Sequence, residues 1–262
     1  MAEATAAAVT VERIADHIAL VTLRRPEARN AVNAAVTAGL RDAVRTIEGD
    51  PDIWAAIVTG EGGKAFSAGA DLKAVSDGGM SGLVDPEWGF AAFVHASRDK
   101  VWIAAVDGAA MAGGFEIALS CDMIVASEDA RFALPEVKRG LVAAAGGIYR
   151  LPRTLPRALA FELIATGEPI DAERALAFGL VNRVVPKADV LGTALDLAQQ
   201  VCANAPVAVR ESLKVARRAF DETDPRLGAL SLAAQDVIMQ TEDFAEGPRA
   251  FIEKRAPRWA GR

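Results

Sequence analysis

The sequence predicts an α/β fold, built as one large unit or as one unit with an appendage, and three observations support this. Short apolar runs rich in β-branched residues alternate with segments whose apolar residues recur at helical spacing. Glycine-rich turns punctuate the alternation. From about residue 188 onward the pattern becomes wholly helical. With 262 residues and 27.5 kDa, the chain is long enough to bury a large core.

Taken in order, residues 9–14 and 18–23 are two β-type runs around the turn Ala15-Asp16-His17, which predicts a hairpin. The loop from Arg24 to Ala31 is basic enough to meet a phosphate, although exposed arginines are more often simply solvated. Val36, Leu40, Val44 and Ile47 give residues 33–48 helical spacing. Residues 53–59 read as a strand, and a glycine-rich stretch runs from Gly60 to Lys73. Gly60, Gly62 and Ala65 match the spacing G-x-G-x-x-A, but a dinucleotide fold needs a helix to begin inside that pattern. Here the small residues continue to Ala70, and a helix is predicted from Asp71. A phosphate-binding P-loop also fails, because Gly63-Lys64 is followed by Ala65. Residues 77–88 form a second glycine-rich loop, and residues 88–98 read as an amphipathic helix carrying His95.

The stretch from Val101 to Glu136 organises the rest. Residues 103–106 predict a buried strand closed by Asp107-Gly108, and Gly113-Gly114 opens a helix over 115–121. Residues 123–126 and 131–134 predict two further strands, the second ending at Pro135 with Glu136 next to it. Amides at a helix start lack intrahelical partners and favour an anion, and glycine there lets a ligand approach the backbone. A Gly-Gly pair before a helix is usually a close-packing point, and a first-turn glutamate usually complements the dipole. Glu116, however, is set in apolar sequence, where an unpaired charge is expensive. Glu116 and Glu136 are therefore the candidate chemistry. In the tail, residues 188–203, 206–220, 227–240 and 244–254 each show helix-compatible spacing, and Pro206 suits a first turn.

Composition removes several function classes. A net charge of −6 and a pI near 5.1 argue against a nucleic-acid partner. The two cysteines, Cys121 and Cys202, give no disulfide framework, suit a reducing cytoplasm and read as core thiols. With only two histidines, His17 and His95, neither near a serine or cysteine in an obvious constellation, a triad or zinc site is poorly supported; both read as surface residues. The start MAEATAAAVT lacks a basic region and a long apolar region, so no signal peptide is expected, and no apolar stretch is long enough for a membrane span.

These residues together resemble the enoyl-CoA hydratase/isomerase, or crotonase, family. The matching positions are Arg25-Pro26 with Asn30-Ala31, the run from Ala65 to Lys73, Ala112-Gly113-Gly114-Phe115-Glu116, Pro135-Glu136 and Gly179-Leu180-Val181. Glu246-Gly247, Phe251 and Glu253-Lys254-Arg255 extend the match almost to the end, so it covers nearly the whole chain. The resemblance implies a crotonase-type spiral of β-β-α units over 1–200, which the sequence itself does not display as an internal repeat. It also implies a helical trimerisation region over 201–262, giving a homotrimer or a hexamer of two trimers.

Position by position, the resemblance implies that the backbone N–H groups of Ala70 and Gly113 form an oxyanion hole for the thioester carbonyl of an acyl-CoA. Ala68 and Leu72 match positions whose carbonyls receive the adenine amino group. Ala28, Asp71 and Lys73 fall on the coenzyme A path. Phe251 and Lys254 match positions that close the site, commonly from another subunit. Glu136 is expected to exchange the α-proton and Glu116 to activate water, giving an enoyl-CoA hydratase. Coenzyme A is part of the substrate, and no metal or redox cofactor is expected. Phe115 and the run Phe132-Ala133-Leu134-Pro135-Glu136 also resemble carnitinyl-CoA dehydratases, which use the same pair on another acyl group; a non-catalytic acyl-CoA binder is the reading from a different class. One departure stands out: where the family carries Pro-Gly before a Gly-Gly pair, this chain has Ala143-Ala144-Ala145 before Gly146-Gly147, which changes loop stiffness near Glu136. The loop over 77–88 borders the acyl chain in the family and is a candidate for setting chain length.

Overall fold

The fold was established from a computed structural model, which describes residues 7–78, 80 and 82–262. Most of the N-terminal MAEATAAAVT stretch, and positions 79 and 81 of the loop over 77–88, lie outside the described residues.

Strands β1 (Val9–Ala15) and β2 (Ile18–Leu23) form the expected antiparallel hairpin, with His17 at φ 63 in its turn. Helix α1 (Ala34–Gly49) starts where Asn33 caps it, its side chain accepting from the Val36 N–H at 3.0 Å. Val36, Leu40, Val44 and Ile47 all face the core. Then come β3 (Ala55–Gly60), β4 (Ala65–Ser67) and α2 (Leu72–Gly78). The short pair β5 (Val84–Asp85) and β6 (Gly89–Phe90) precedes β7 (Val101–Val106), β8 (Ala109–Met111) and α3 (Gly113–Leu119). The next turn holds β9 (Met123–Ser127), β10 (Arg131–Ala133), a 3-10 turn over Pro135–Arg139, α4 (Gly147–Thr154) and α5 (Arg157–Thr166). After β11 (Ile170–Asp171), α6 (Ala172–Ala177) and β12 (Arg183–Val185), the chain is helical: α7 (Val190–Cys202), α8 (Pro206–Ala216), α9 (Asp224–Ile238) and α10 (Glu242–Glu253).

The strands alternate between two sheets. One has the order β1-β2-β3-β7-β9-β12 and the other β11-β10-β8-β4. Three successive turns of chain therefore each give a strand to the first sheet, a strand to the second and then a helical segment: β3-β4-α2, β7-β8-α3, and β9-β10 with the 3-10 turn. This is the β-β-α spiral, and its strands run parallel within each sheet. The inner strands of the first sheet, β2, β3, β7 and β9, are covered on both faces, which explains their continuous apolar runs. On β7, Trp102, Ala104 and Val106 join the core shared with α1 and the second sheet, while Val101, Ile103 and Ala105 pack against Val190, Ala194 and Ala198 of α7. Among the described residues, no helix is long and apolar enough to cross a membrane.

One element differs from expectation. Residues 88–98 are not a helix: β6 is followed by turns in which Ala91 and Ala92 have φ of 58 and 51. The run Phe90-Ala91-Ala92-Phe93-Val94 is buried on every side, so its apolar spacing reflects a packed loop. Hydrogen bonds from Ala91 N–H to Leu83 O and from His95 N–H to Trp88 O hold that geometry.

Candidate active site

The second sheet builds the site. β10, β8 and β4 are neighbours, and the chain leaving each one contributes a part: Glu136 after β10, Gly113 and Glu116 after β8, Ala70 after β4. Residues far apart in sequence thus come together because three strand ends lie side by side. The twenty positions between Glu116 and Glu136 are one turn of the spiral.

The glycine pair is a close-packing point as well as a helix start. A Cβ on Gly114 would lie 2.2 Å from Ser67 O, and one on Gly69 would lie 2.8 Å from Gly113 N. The turn after β4 and the start of α3 are in backbone contact, which brings the stretches bearing the Ala70 and Gly113 amides together. Ala112, capping α3, has φ 51 and ψ −130, a strained conformation for a residue with a side chain, costing about 1–3 kcal/mol. Its N–H is fixed to Ala133 O at 2.9 Å. Among the described residues, neither the Ala70 nor the Gly113 N–H has a hydrogen-bond acceptor in the chain.

Glu116 turns inward from the first turn of α3 and is only 3% exposed. Its Oε1 accepts from the Gly147 N–H at 2.8 Å. Burial pushes its pKa up to about 7. The neighbouring Glu136 charge adds to this, while the Gly147 and Ala145 amides and Arg150 oppose it. Burial likewise raises Glu136, opposed by its own backbone hydrogen bond and by Arg139. Oε2 of Glu136 is buried with no hydrogen-bond partner among the described residues. Two carboxyl groups held toward their protonated forms by burial, one with a free oxygen, can serve as proton donor and acceptor.

Beside Ala70 opens a cleft of about 510 Å³, lined by Arg25, Glu27, Ala28, Ala31, Ala70, Asp71, Leu72 and Lys73. Asn30 scaffolds one wall: fully buried, it accepts from the Arg25 N–H and donates to the carbonyls of Glu61 and Ala65. Asp71 meets Arg25 at 2.9 Å and accepts from the Lys73 N–H. Burial works against its ionisation, but Arg25 and the amides of Ala74 and Lys73 outweigh it and hold its carboxyl below the ordinary range. Of the predicted residues, Ala28, Ala70, Asp71, Leu72 and Lys73 line this cleft, and Ala68 lies two residues before Ala70 with its N–H bonded to Arg29 O. Phe251 and Lys254 do not line it; Phe251 stands on α10, 84% exposed, and Lys254 ends that helix at φ 53. Sequence reasoning missed Gly147 and Arg150, whose link to Glu116 only the fold creates.

Cys121 follows the end of α3, five positions after Glu116, and Cys202 ends α7; both are half-buried, and burial pushes Cys121 up to about 12 and Cys202 up to about 11, so neither is a ready thiolate. His17 is half-buried, stacked on Trp54 with ring centroids 3.6 Å apart, and His95 is exposed.

Comparison with known proteins gives a consistent result. The family profile described as enoyl-CoA hydratase/isomerase matches residues 13–262. A curated relative from Salmonella typhi, named carnitinyl-CoA dehydratase, is 43% identical over 248 residues, covering 92% of this chain and 94% of the relative. Among solved structures, an enoyl-CoA hydratase from Mycobacterium tuberculosis H37Rv superposes with a TM-score of 0.94 at 42% identity, covering 98% of this chain and 100% of that one. A carnitinyl-CoA hydratase from Mycobacterium avium has a TM-score of 0.78 at 46% identity over the same shares.

Proposed function

Because the chain belongs to the enoyl-CoA hydratase/isomerase family, we propose that it is an enoyl-CoA hydratase, adding water reversibly across the 2,3-double bond of a 2-enoyl-CoA to give a 3-hydroxyacyl-CoA. The observation that carries this reading is the set formed by buried Glu116, half-buried Glu136 and the backbone amides of Ala70 and Gly113, which are unengaged among the described residues, all contributed by adjoining strand ends.

In hydration, the thioester oxygen accepts from the Ala70 and Gly113 N–H groups. Glu116 takes a proton from water as its oxygen bonds to the β-carbon, and Glu136 delivers a proton to the α-carbon. Negative charge builds on the thioester oxygen in the transition state, where the loss of one comparable donor costs about 2.7–4 kcal/mol. In dehydration the roles reverse: ionised Glu136 takes the α-proton and protonated Glu116 gives its proton to the departing hydroxide. A Glu116 pKa of about 7 keeps that proton available near neutrality. Coenzyme A enters as part of the substrate, and no step of this scheme calls for a metal or redox cofactor. Coenzyme A lies along Ala28, Ala68, Asp71, Leu72 and Lys73 in this reading.

The spiral over 1–200 carries the site, and the helices over 201–262 assemble a homotrimer or a hexamer in the cytoplasm. The exposure of Phe251 and Ile252 on α10 supports a role for this region in covering a neighbouring subunit, with Phe251 and Lys254 closing its coenzyme A site.

A second reading, carnitinyl-CoA dehydratase, is favoured by the 43% identical relative of that name. One experiment separates the readings: follow the conjugated-thioester absorbance with crotonyl-CoA, longer enoyl-CoAs and the carnitinyl pair, for the wild type, Glu116→Gln and Glu136→Gln. Hydration of simple enoyl-CoAs, lost in both variants, supports the proposal. Turnover confined to the carnitinyl pair shifts the assignment to the second reading. No turnover on the whole panel, with CoA esters still bound, defeats both.

A further inference from the structure

Beyond the two carboxylates, one guanidinium links both walls of the candidate site. Arg150 on α4 donates from Nη2 to Val94 O at 2.5 Å and from Nη1 to Ala145 O at 3.0 Å. These carbonyls belong to segments far apart in sequence. Val94 closes the turns after β6, whose Phe90 ring packs against Gly113 so closely that a Cβ there would lie 2.4 Å from Phe90 Cε1. Ala145 belongs to the turn before α4, where the Gly147 N–H holds Glu116 Oε1 at 2.8 Å. Between them, Gly146 has φ 118, and a Cβ there would come within 1.9 Å of Arg150 Nη1, so this turn is wrapped around the guanidinium. A second link runs in parallel, from a His95 ring nitrogen to Tyr149 Oη at 3.0 Å.

We infer that Arg150 is a positioning residue for the reaction: through the Ala145 and Val94 carbonyls it holds the Gly147 amide in register with Glu116. Standing on the same turn, its positive charge also favours the carboxylate form of that glutamate. The inference rests on the hydratase reading for its consequence in turnover, but not for its electrostatics. A planar guanidinium can bridge two carbonyls at fixed spacing, which a lysine ammonium on a flexible stem does not reproduce.

The groups facing Glu116 are Glu136 from the 3-10 turn, which disfavours its ionisation, and the Gly147 and Ala145 amides and Arg150 from the turn and α4, which favour it. Around Arg150 lie Tyr149, Cys121 and Arg153, together with His95. Burial and the Arg150 charge hold His95 below its ordinary 6.5. At neutral pH that imidazole is uncharged, and Arg150 is the cation acting on Glu116.

The test uses the full chain with Arg150→Met, which removes charge and clamp, and Arg150→Lys, which keeps the charge and loses the two-pronged grip. Two readouts are taken. The pH profile of dehydration should move its alkaline limb up in Arg150→Met, which loses both the charge and the hold on the Gly147 amide, and by less in Arg150→Lys, which keeps the charge. Both variants should lose about 10-fold or more in kcat with KM within about 3-fold, as expected when an interaction made in the transition state is loosened. Denaturant unfolding across pH 4–9 reports the Glu116 proton without any turnover. The pH-dependent loss of stability should extend to higher pH in Arg150→Met, and this change should vanish when Glu116→Gln is also present. An unmoved midpoint in both readouts overturns the electrostatic role. A kcat within 2-fold of wild type in Arg150→Lys overturns the clamp. If Arg150→Met does not fold, Arg150→Gln is read by the same criteria. If the wild type turns over nothing, the hydratase reading falls, while the unfolding measurements still decide the inference.

Discussion

Replacing Glu116 with glutamine should stabilise the protein above neutral pH while removing its activity. The ordinary carboxyl value is 4.5, and the buried site raises it to about 7. Between those values the unfolded chain gives up this proton more readily than the folded one. The stability associated with the protonated side chain is therefore complete below about pH 4.5 and is lost as the pH rises through 7. A difference of about 2.5 units at 1.36 kcal/mol each makes the full cost about 3 kcal/mol above pH 8. Glutamine keeps the shape and an oxygen that can accept from the Gly147 N–H, but it never ionises. Denaturant unfolding at fixed protein concentration should find Glu116→Gln close to wild type at pH 4.5 and more stable by up to about 3 kcal/mol at pH 8. The same variant should lose about 100-fold or more in kcat, the scale of a lost general acid or base. A stability difference that does not change with pH, or that grows toward acid, would refute the buried, proton-holding description of Glu116.

Glu136→Gln should suppress exchange of the α-proton of a saturated acyl-CoA with deuterated water by about 100-fold or more, read by proton NMR, whereas Glu116→Gln should leave more of that exchange intact. In the wild type, the dehydration rate should fall as the pH rises past about 7, where Glu116 loses its proton; a rate still climbing at pH 9 would count against its acid role. Gly114→Ala should destabilise the fold by about 1–3 kcal/mol, since the added carbon would meet Ser67 O, a backbone atom unable to swing aside; a thermal melt checks this. Asp71→Asn should loosen Arg25 and the cleft wall, raising KM for the CoA ester more than it lowers kcat in steady-state kinetics.

Much of this architecture could be read from residue patterns because the responsible forces are local. Helix α1 follows from the spacing of Val36, Leu40, Val44 and Ile47 and the Asn33 cap, and the two-sided burial of β7 explains its unbroken apolar run. Glu116 was noticeable as a charge in apolar sequence, and the structure buries it. The segment over 88–98 misled because Phe90, Phe93 and Val94 have helix-like spacing, yet Ala91 and Ala92 take positive φ that nothing in their chemistry announces. That conformation is imposed by the Leu83 carbonyl and by packing against Gly113. The spiral was hidden for a related reason: successive turns share strand placement but not the segments that follow, since α2 leads into the β5-β6 pair and the packed loop, α3 leads directly to β9, and the third turn has a 3-10 turn in place of a helix. Arg150 carried no signal either, because its carbonyl partners belong to segments that meet only after folding.

The contact between Gly69, Gly114 and their neighbours has a consequence for how substitutions would be tolerated. In the proposed reaction, what positions 70 and 113 offer is main-chain N–H, which no side-chain exchange short of proline removes. Saturation mutagenesis should therefore register position 70 as permissive toward small residues. Intolerance should fall on Gly69, at φ 86 against Gly113 N, and on Gly114 against Ser67 O, which supply no reacting group in this reading but bring the two stretches into contact, and on Gly113 itself, where an added carbon would meet the Phe90 ring. In the proposed site, positions that only pack, Gly69 and Gly114, are thus as vulnerable to mutation as Gly113, which offers an amide.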